Sequence, residues 1–256
     1  MKKLFFRDGF LKASDVSLLR EELSKYDAKN LKQKNRLLDL DSISIVKSII
    51  FNKSFLEIIS KNLNTDKFIF LNKVKIQKNK REYLKTWHRD SGKVHQYKLI
   101  SKKQNQYTKL GIYLQNNDKK MGGGVDIIKP LKYNFLNQYN IFSNFIRKLY
   151  YSFQIRFGNN FLNIKSGEIV GFSGLIFHQT TPVKLNSNIK LNDRLSLYFL
   201  VISEDLVRDV ILLHNKNNQS QLVTFEDNIE IKSLNNCEFR FCNTKITNIL
   251  EEILSD

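Results

Sequence analysis

The feature that most constrains the fold is a change of texture at residue 68. Before it, apolar residues recur at helical spacing over residues 14–25, 42–51 and 53–62, which predicts three helices. After it come short runs rich in Val, Ile, Phe and Tyr, at 68–74, 83–89, 108–115, 125–128, 168–172, 176–179 and 194–201, with glycine and asparagine turns between them. Many short strands joined by such turns predict a mainly β protein with flanking helices, its core a double-stranded β-helix, the cupin-like jelly roll. The helices are expected on the outside of one sheet. At 256 residues, 41% hydrophobic and 12% aromatic, the chain can bury a substantial core as one domain. The expected division is N-terminal helices over 1–66, the jelly roll over 67–204 and a C-terminal extension over 205–256.

Two segments look added to that core. Residues 134–161 read as a helix rich in aromatics with a few basic residues, placed between a glycine turn and the later core strands. It suits a lid over the barrel mouth or a membrane interface, with ordinary packing on the barrel as the plainer alternative. From residue 206 the pattern predicts two or three short strands and a final helix over 245–254. The two cysteines, Cys237 and Cys242, have the spacing of neither a zinc ribbon nor a disulfide framework, which points to reduced thiols in a cytoplasmic protein. Charge returns at Arg7 and Asp8 before any hydrophobic region of useful length, so no signal peptide is expected, and no stretch approaches a membrane span.

Chemistry concentrates in His88-Arg89-Asp90, followed by His178 and Arg194. On a strand, the i, i+2 spacing of His88 and Asp90 turns both side chains to one side of the sheet. Two imidazoles and a carboxylate can hold one face of a non-haem Fe(II) ion and leave the opposite face open. Other motifs carry less. The glycines at 122–124 lack the G-x-G-x-x-G spacing and strand-to-helix context of a phosphate cradle, and a hairpin turn accounts for them. Gly171-Phe-Ser-Gly174 is not a nucleophile elbow, which needs its second glycine two positions after the serine.

Five segments in order give the chain a family resemblance. Trp87-His88-Arg89-Asp90-Ser91-Gly92 resembles the W-H-x-D segment of the phytanoyl-CoA dioxygenase superfamily, and residues 109–115, Lys-Leu-Gly-Ile-Tyr-Leu-Gln, resemble the strand that follows it. Met121-Gly-Gly-Gly124-Val-Asp-Ile-Ile-Lys-Pro130 is similar to that family's glycine-rich turn and next strand, though Lys129-Pro-Leu-Lys132 stands where the family has P-G-S-H. Gly167-Glu-Ile-Val-Gly-Phe-Ser173 resembles the strand before the distal histidine, and Phe6-Arg-Asp-Gly-Phe-Leu11 the opening. The resemblance covers roughly residues 4–204. It implies that His88, Asp90 and His178 bind Fe(II), that Arg194 pairs with the distal carboxylate of 2-oxoglutarate, and that Thr180 also contacts this co-substrate. A planar guanidinium grips a carboxylate bidentately, which a lysine does less well. The implied activity is a dioxygenase consuming 2-oxoglutarate and O2 to hydroxylate an unactivated C–H bond. Asp90 argues against the halogenating branch, where a small residue stands at that position.

The formal net charge of +17 rests mostly on lysine, with 32 of the 42 basic residues. Part of it is local: residues 73–109 hold twelve Lys or Arg against Glu82 and Asp90. Such a stripe is either a solvated face or an attraction for anionic partners, such as a coenzyme A thioester, a phosphorylated sugar or an acidic lipid surface at the inner membrane face. Nucleic acid is the weakest of these, because no recognised binding motif accompanies the charge. Two other classes stay open at this stage: a cupin-like metal enzyme that does not use 2-oxoglutarate, and a non-catalytic protein binding acidic glycan or lipid. A small-molecule or lipid- or sugar-linked substrate is expected, and neither its identity nor the oligomeric state is legible.

Overall fold

The computed structural model describes residues 5–25, 37–78, 87–88, 107–117, 119, 122, 124–128, 141–174, 176–181, 195–217 and 222–254. The three helices that the spacing predicts are present, with short strands before and between them: α1 (Ala13–Lys25), α2 (Ser44–Ile50) and α3 (Lys53–Leu63). α3 shows why this segment is helical. The Asn52 side chain accepts a hydrogen bond from the Phe55 amide at 3.1 Å and caps the N-terminus, while Asn64 adopts the left-handed conformation that ends the helix. Between those caps, Phe55, Ile59 and Asn62 are buried at helical spacing.

The strands are β1 (Phe5–Gly9), β2 (Leu37–Asp39), β3 (Phe68–Leu71), β4 (Lys73–Lys78), β5 (Tyr107–Tyr113), β6 (Val125–Ile128), β7 (Glu168–Ser173), β8 (Phe177–Thr180), β9 (Leu195–Ser203), β10 (Ile229–Leu234) and β11 (Cys237–Cys242). Among the described residues they form a nine-stranded sheet, ordered β1-β7-β5-β9-β3-β11-β10 with β4 also on β9 and β2 on β4, and a two-stranded sheet of β6 and β8. The expected run at 68–74 is two strands rather than one. Phe70 faces Val201 but Lys75 faces Tyr198, so residues 71–74 oppose only residues 199 and 200 and the chain bulges there.

Alternation along the strands assigns the faces. Leu110, Ile112, Leu197, Phe199, Phe239 and Phe241 point to one side of the large sheet, where the three N-terminal helices cover them with Leu19, Leu23, Val46, Phe51, Phe55 and Ile59. On the opposite side, Tyr113, Val170 and Phe172 meet Val125 and Ile127 of the small sheet. That second space is the barrel interior, and the molecule is a jelly roll whose large sheet carries the three N-terminal helices on its outer face. Gly171 makes room for the β1 side chain above it: a Cβ there would lie 2.0 Å from the Phe6 ring, so any side chain would displace that buried ring.

The segment after residue 204 holds two short strands and a final helix, as expected, and one helix that was not expected. The addition is helix α5 (Glu204–Asn217), and after it come the β10–β11 hairpin and helix α6 (Thr244–Leu254). The β-branched residues of α5 suggest a strand, but Leu206, Val207, Val210 and Ile211 share one helical face and are buried. Its start is also marked, by Ser203 Oγ accepting from the Leu206 amide at 3.2 Å and by Glu204 and Asp205 in the first turn. The hairpin turns through Asn235 and Asn236, both at positive φ, the geometry that two-residue hairpin loops favour. β11 pairs parallel with β3, and α5 and α6 bury Ile69, Leu71, Ile202 and Cys242. The cysteines are both free, and burial pushes the Cys242 thiol up to about 12. No helix among the described residues is long and apolar enough to cross a membrane. The interior insert is a helix as expected, α4 (Ile141–Phe157).

Candidate metal centre

The two histidines singled out from the sequence are brought together. His88 and His178 exchange backbone hydrogen bonds in both directions, each at 2.9 Å, so they are direct cross-strand partners in an antiparallel bridge. Residues directly opposite project to the same face, and the two imidazole rings lie 4.5 Å apart between centroids at 49°. His178 pairs on its other side with Ile127 of β6, whose side chain belongs to the barrel interior. The histidine pair therefore faces inward, with His178 buried and His88 half-buried.

Local chemistry selects the nitrogen that could bind a metal. His178 Nδ1 is 2.9 Å from the Ile176 carbonyl oxygen, which has no proton to give, so Nδ1 carries the hydrogen and Nε2 the lone pair. A second hydrogen bond of this kind is the usual orienting partner of a metal-ligating histidine. The Phe172 ring packs 4.7 Å from the His178 ring and limits its rotation. Imidazole nitrogens suit a borderline divalent ion such as Fe(II), so the donors present fit the group that the sequence implies. Among the described residues no group of three or more His, Cys, Asp or Glu is gathered for a metal. Asp90 and Arg194 lie outside the described residues. Thr180 is half-buried at the end of β8, two positions from His178 and so on the same face, opposite Val125.

The opposing wall holds residues that sequence reading did not single out. Lys109 sits opposite Phe172 in the sheet register, and its amine lies 6.0 Å from the Tyr198 ring centre. Tyr198 Oη donates to Tyr113 Oη at 3.2 Å, and burial first, then the neighbouring phenol, holds the fully buried Tyr113 hydroxyl well above its ordinary pKa. It stays a neutral phenol at any physiological pH. Gly111 lies opposite Tyr198 and leaves room for both rings, since a Cβ would approach each within 3.0 Å. The signal was available: in residues 107–113 the odd positions read Tyr, Lys, Gly, Tyr and the even ones Thr, Leu, Ile, which is period-2 alternation with polar chemistry on one face.

Behind the histidine strand is a buried polar lock. Asp126 of β6 accepts from Gln179 Nε2 at 2.9 Å and from Thr181 Oγ1 at 2.6 Å, and all three side chains are buried on the face away from His178. An acidic residue between Val125 and Ile127 in a buried strand was its sequence signature. Outside it, Phe177 packs between Trp87, stacked at 5.8 Å, and Tyr151 of α4 at 4.8 Å. These contacts tie the helix and the His88 segment to the same strand. Among the stripe residues 73–109, most lie outside the described residues.

No protein-family model matches the chain, and no curated protein matches it in sequence. Solved structures do. HygX from Streptomyces hygroscopicus, with iron bound, has 13% identity over 79% of this chain and 83% of its own, with a TM-score of 0.54. AviO1 from Streptomyces viridochromogenes Tue57 has 10% identity over 79% of this chain and 91% of its own, with a TM-score of 0.51. EctD from S. alaskensis, solved with 2-oxoglutarate and 5-hydroxyectoine, has 11% identity over 80% of this chain and 73% of its own, with a TM-score of 0.51. At such identities the likeness is one of fold, and it is the jelly-roll fold that this chain shares with these proteins.

Proposed function

We propose that the chain is an Fe(II)- and 2-oxoglutarate-dependent dioxygenase that hydroxylates a small or lipid- or sugar-linked substrate. The observation that carries this reading is the inward-facing His88–His178 pair, with the His178 tautomer set by the Ile176 carbonyl. The solved proteins of like fold support it, one with iron and others with 2-oxoglutarate. Within it, His88 and His178 supply nitrogen ligands and Asp90 the carboxylate. Arg194, helped by Thr180, holds the distal carboxylate of the co-substrate. The bound iron, with 2-oxoglutarate and O2, would supply the oxidising chemistry.

The protein's own part is placement and exclusion of water. The cross-strand bridge spaces the imidazoles, and the Asp126 lock with the Phe177 stack keeps the strand from slipping, which would turn His178 to the opposite face. Tyr113, Phe172 and Ile127 keep water from the inner side of the pair. Lys109 puts positive charge on the facing wall, which suits an anionic substrate or co-substrate. Anaerobic titration of 2-oxoglutarate into the Fe(II) protein tests the reading. A weak visible charge-transfer band, lost in Arg194→Ala together with roughly tenfold to hundredfold of 2-oxoglutarate affinity, is expected. Iron bound without that band would favour a cupin-like enzyme that does not use 2-oxoglutarate.

A further inference from the structure

Helix α4 carries large apolar side chains on its exposed side as well as on its covered one. Its half-covered side carries Ile146, Tyr150, Tyr151 and Gln154, with Tyr151 against Phe177. Its exposed side carries Phe145, Leu149, Phe153 and Phe157, each four residues from the last, with relative exposures of 58%, 56%, 59% and 65%. A surface helix normally presents such a stripe to the core and its polar residues to water. Phe153 and Phe157 do not shelter each other enough to hide the patch, although their rings meet at 5.1 Å. Contiguous exposed apolar surface of this kind marks a binding face.

The charge around the stripe identifies the partner. Arg156 is exposed within the stripe, 5.3 Å from the Phe157 ring centre, and Lys148 is exposed at its flank, next to Phe145. From Asp126 to Glu168 the intervening sequence has six basic residues and no acidic one. A protein interface would bring acidic groups or hydrogen-bonding partners into such a patch, whereas aromatic and aliphatic side chains interleaved with cations match the boundary between anionic headgroups and acyl chains. We propose that the exposed face of α4 docks on an anionic lipid bilayer, lying in the interface plane with Phe145, Leu149, Phe153 and Phe157 inserted and Lys148 and Arg156 among the headgroups. At 17 residues the helix is about 25 Å long, so it lies on the membrane along its length. The docked surface is about one helix diameter, ~10 Å, from the strand that bears His178. This inference goes beyond the oxygenase reading and does not depend on it.

Co-sedimentation of the full chain, without iron or 2-oxoglutarate, with vesicles of phosphatidylcholine and phosphatidylglycerol in a ratio of roughly 7:3 and with pure phosphatidylcholine vesicles tests it at about 0.15 M salt. The expected result is at least tenfold stronger binding to the anionic vesicles. Lys148→Gln with Arg156→Gln should weaken that binding about thirtyfold, because each basic residue near an anionic surface contributes ~1 kcal/mol. Leu149→Ser with Phe153→Ser should weaken it at least tenfold while circular dichroism stays unchanged, since both positions are exposed and folding does not need them. Equal binding to both vesicle types, binding to neither, or anionic binding that both double variants retain would overturn the proposal. So would light scattering that shows a lipid-free dimer which Leu149→Ser with Phe153→Ser converts to monomer, because the stripe would then be an interface between copies of this chain.

Discussion

On the helix side of the large sheet, Phe51 sits between α2 and α3 with five other phenylalanine rings around it: Phe55 at 5.3 Å, Phe70 at 5.3 Å, Phe199 at 5.6 Å, Phe239 at 5.1 Å and Phe241 at 5.5 Å. On the barrel side, the small sheet consists of two four-residue strands and the His88 bridge, and its specific contacts are polar: the Asp126 lock, the Ile176 carbonyl on His178, and the hydroxyl pair of Tyr113 and Tyr198. The first region is held by non-directional burial, which tolerates small shifts of any one ring. The second is held by hydrogen bonds, which fix direction and register. The lesson is a division of labour within one fold, with stability concentrated on the helix-covered face and geometry on the histidine-bearing one.

The largest expected effect probes the second region alone. His88→Ala should abolish detectable Fe(II) binding by the anaerobic protein, yet shift thermal stability by only about 1 kcal/mol, since His88 is half-buried and its backbone bonds remain. Iron affinity equal to the parent's in equilibrium dialysis would remove the centre from this site. The complementary change is Phe51→Ala, which should cost about 3–5 kcal/mol in denaturant unfolding by opening a cavity among the rings. Under conditions where it is still folded, its iron affinity should match the parent's. A loss of both together would show that the two regions are not separable.

A smaller effect tests the lock. Asp126→Ala leaves the buried Gln179 amide and Thr181 hydroxyl without their acceptor, for an expected loss of about 2–3 kcal/mol. Hydrogen exchange should quicken at the β8 amides and stay unchanged in β3 and β11. Uniform quickening across both sheets would mean that Asp126 serves global stability rather than strand placement.

The smallest effect lies outside both regions. Asp41 accepts from Lys232 at 2.6 Å, Asn72 at 3.1 Å and Lys47 at 3.2 Å, and the Lys232 hydrogen bond above all lowers its carboxyl from 3.8 to about 2. A depressed folded-state pKa stabilises above the unfolded value and loses that stabilisation as pH falls through the folded one. Asp41→Asn should therefore be less stable than the parent at pH 5–6, and the two should converge between about pH 4 and pH 2. Because the carboxylate is 49% exposed, the difference should stay below ~1 kcal/mol in urea titrations. A gap that persists at pH 2 would mean that the packing of this side chain matters more than its charge.

The segments legible in sequence were those whose pattern is local. Helices α1–α3, strands β5 to β9 and the final helix carry their periodicity within a dozen residues, and the His88 and His178 motifs stood out beside strand signals. α5 was not foreseen because Val207, Val210 and Ile211 favour strands in isolation, while the helical face they form gains its burial only against β3 and α6. The composition of α4 left a membrane interface, a lid and ordinary packing all open, and only the packed side shows that its Phe145, Leu149, Phe153 and Phe157 stripe is exposed.

By itself the sequence determined the alternation, the caps and turns, and which residue types could bind a metal, because these follow from the period of a strand or helix and the chemistry of single side chains. Tertiary structure alone decided that His88 and His178 face each other, that Lys109, Tyr113 and Tyr198 form the opposite wall, and that Asp126 backs the histidine strand. Those partners lie up to ninety residues apart, and their meeting depends on strand order and register, to which hydrogen bonds and burial across the whole sheet contribute together.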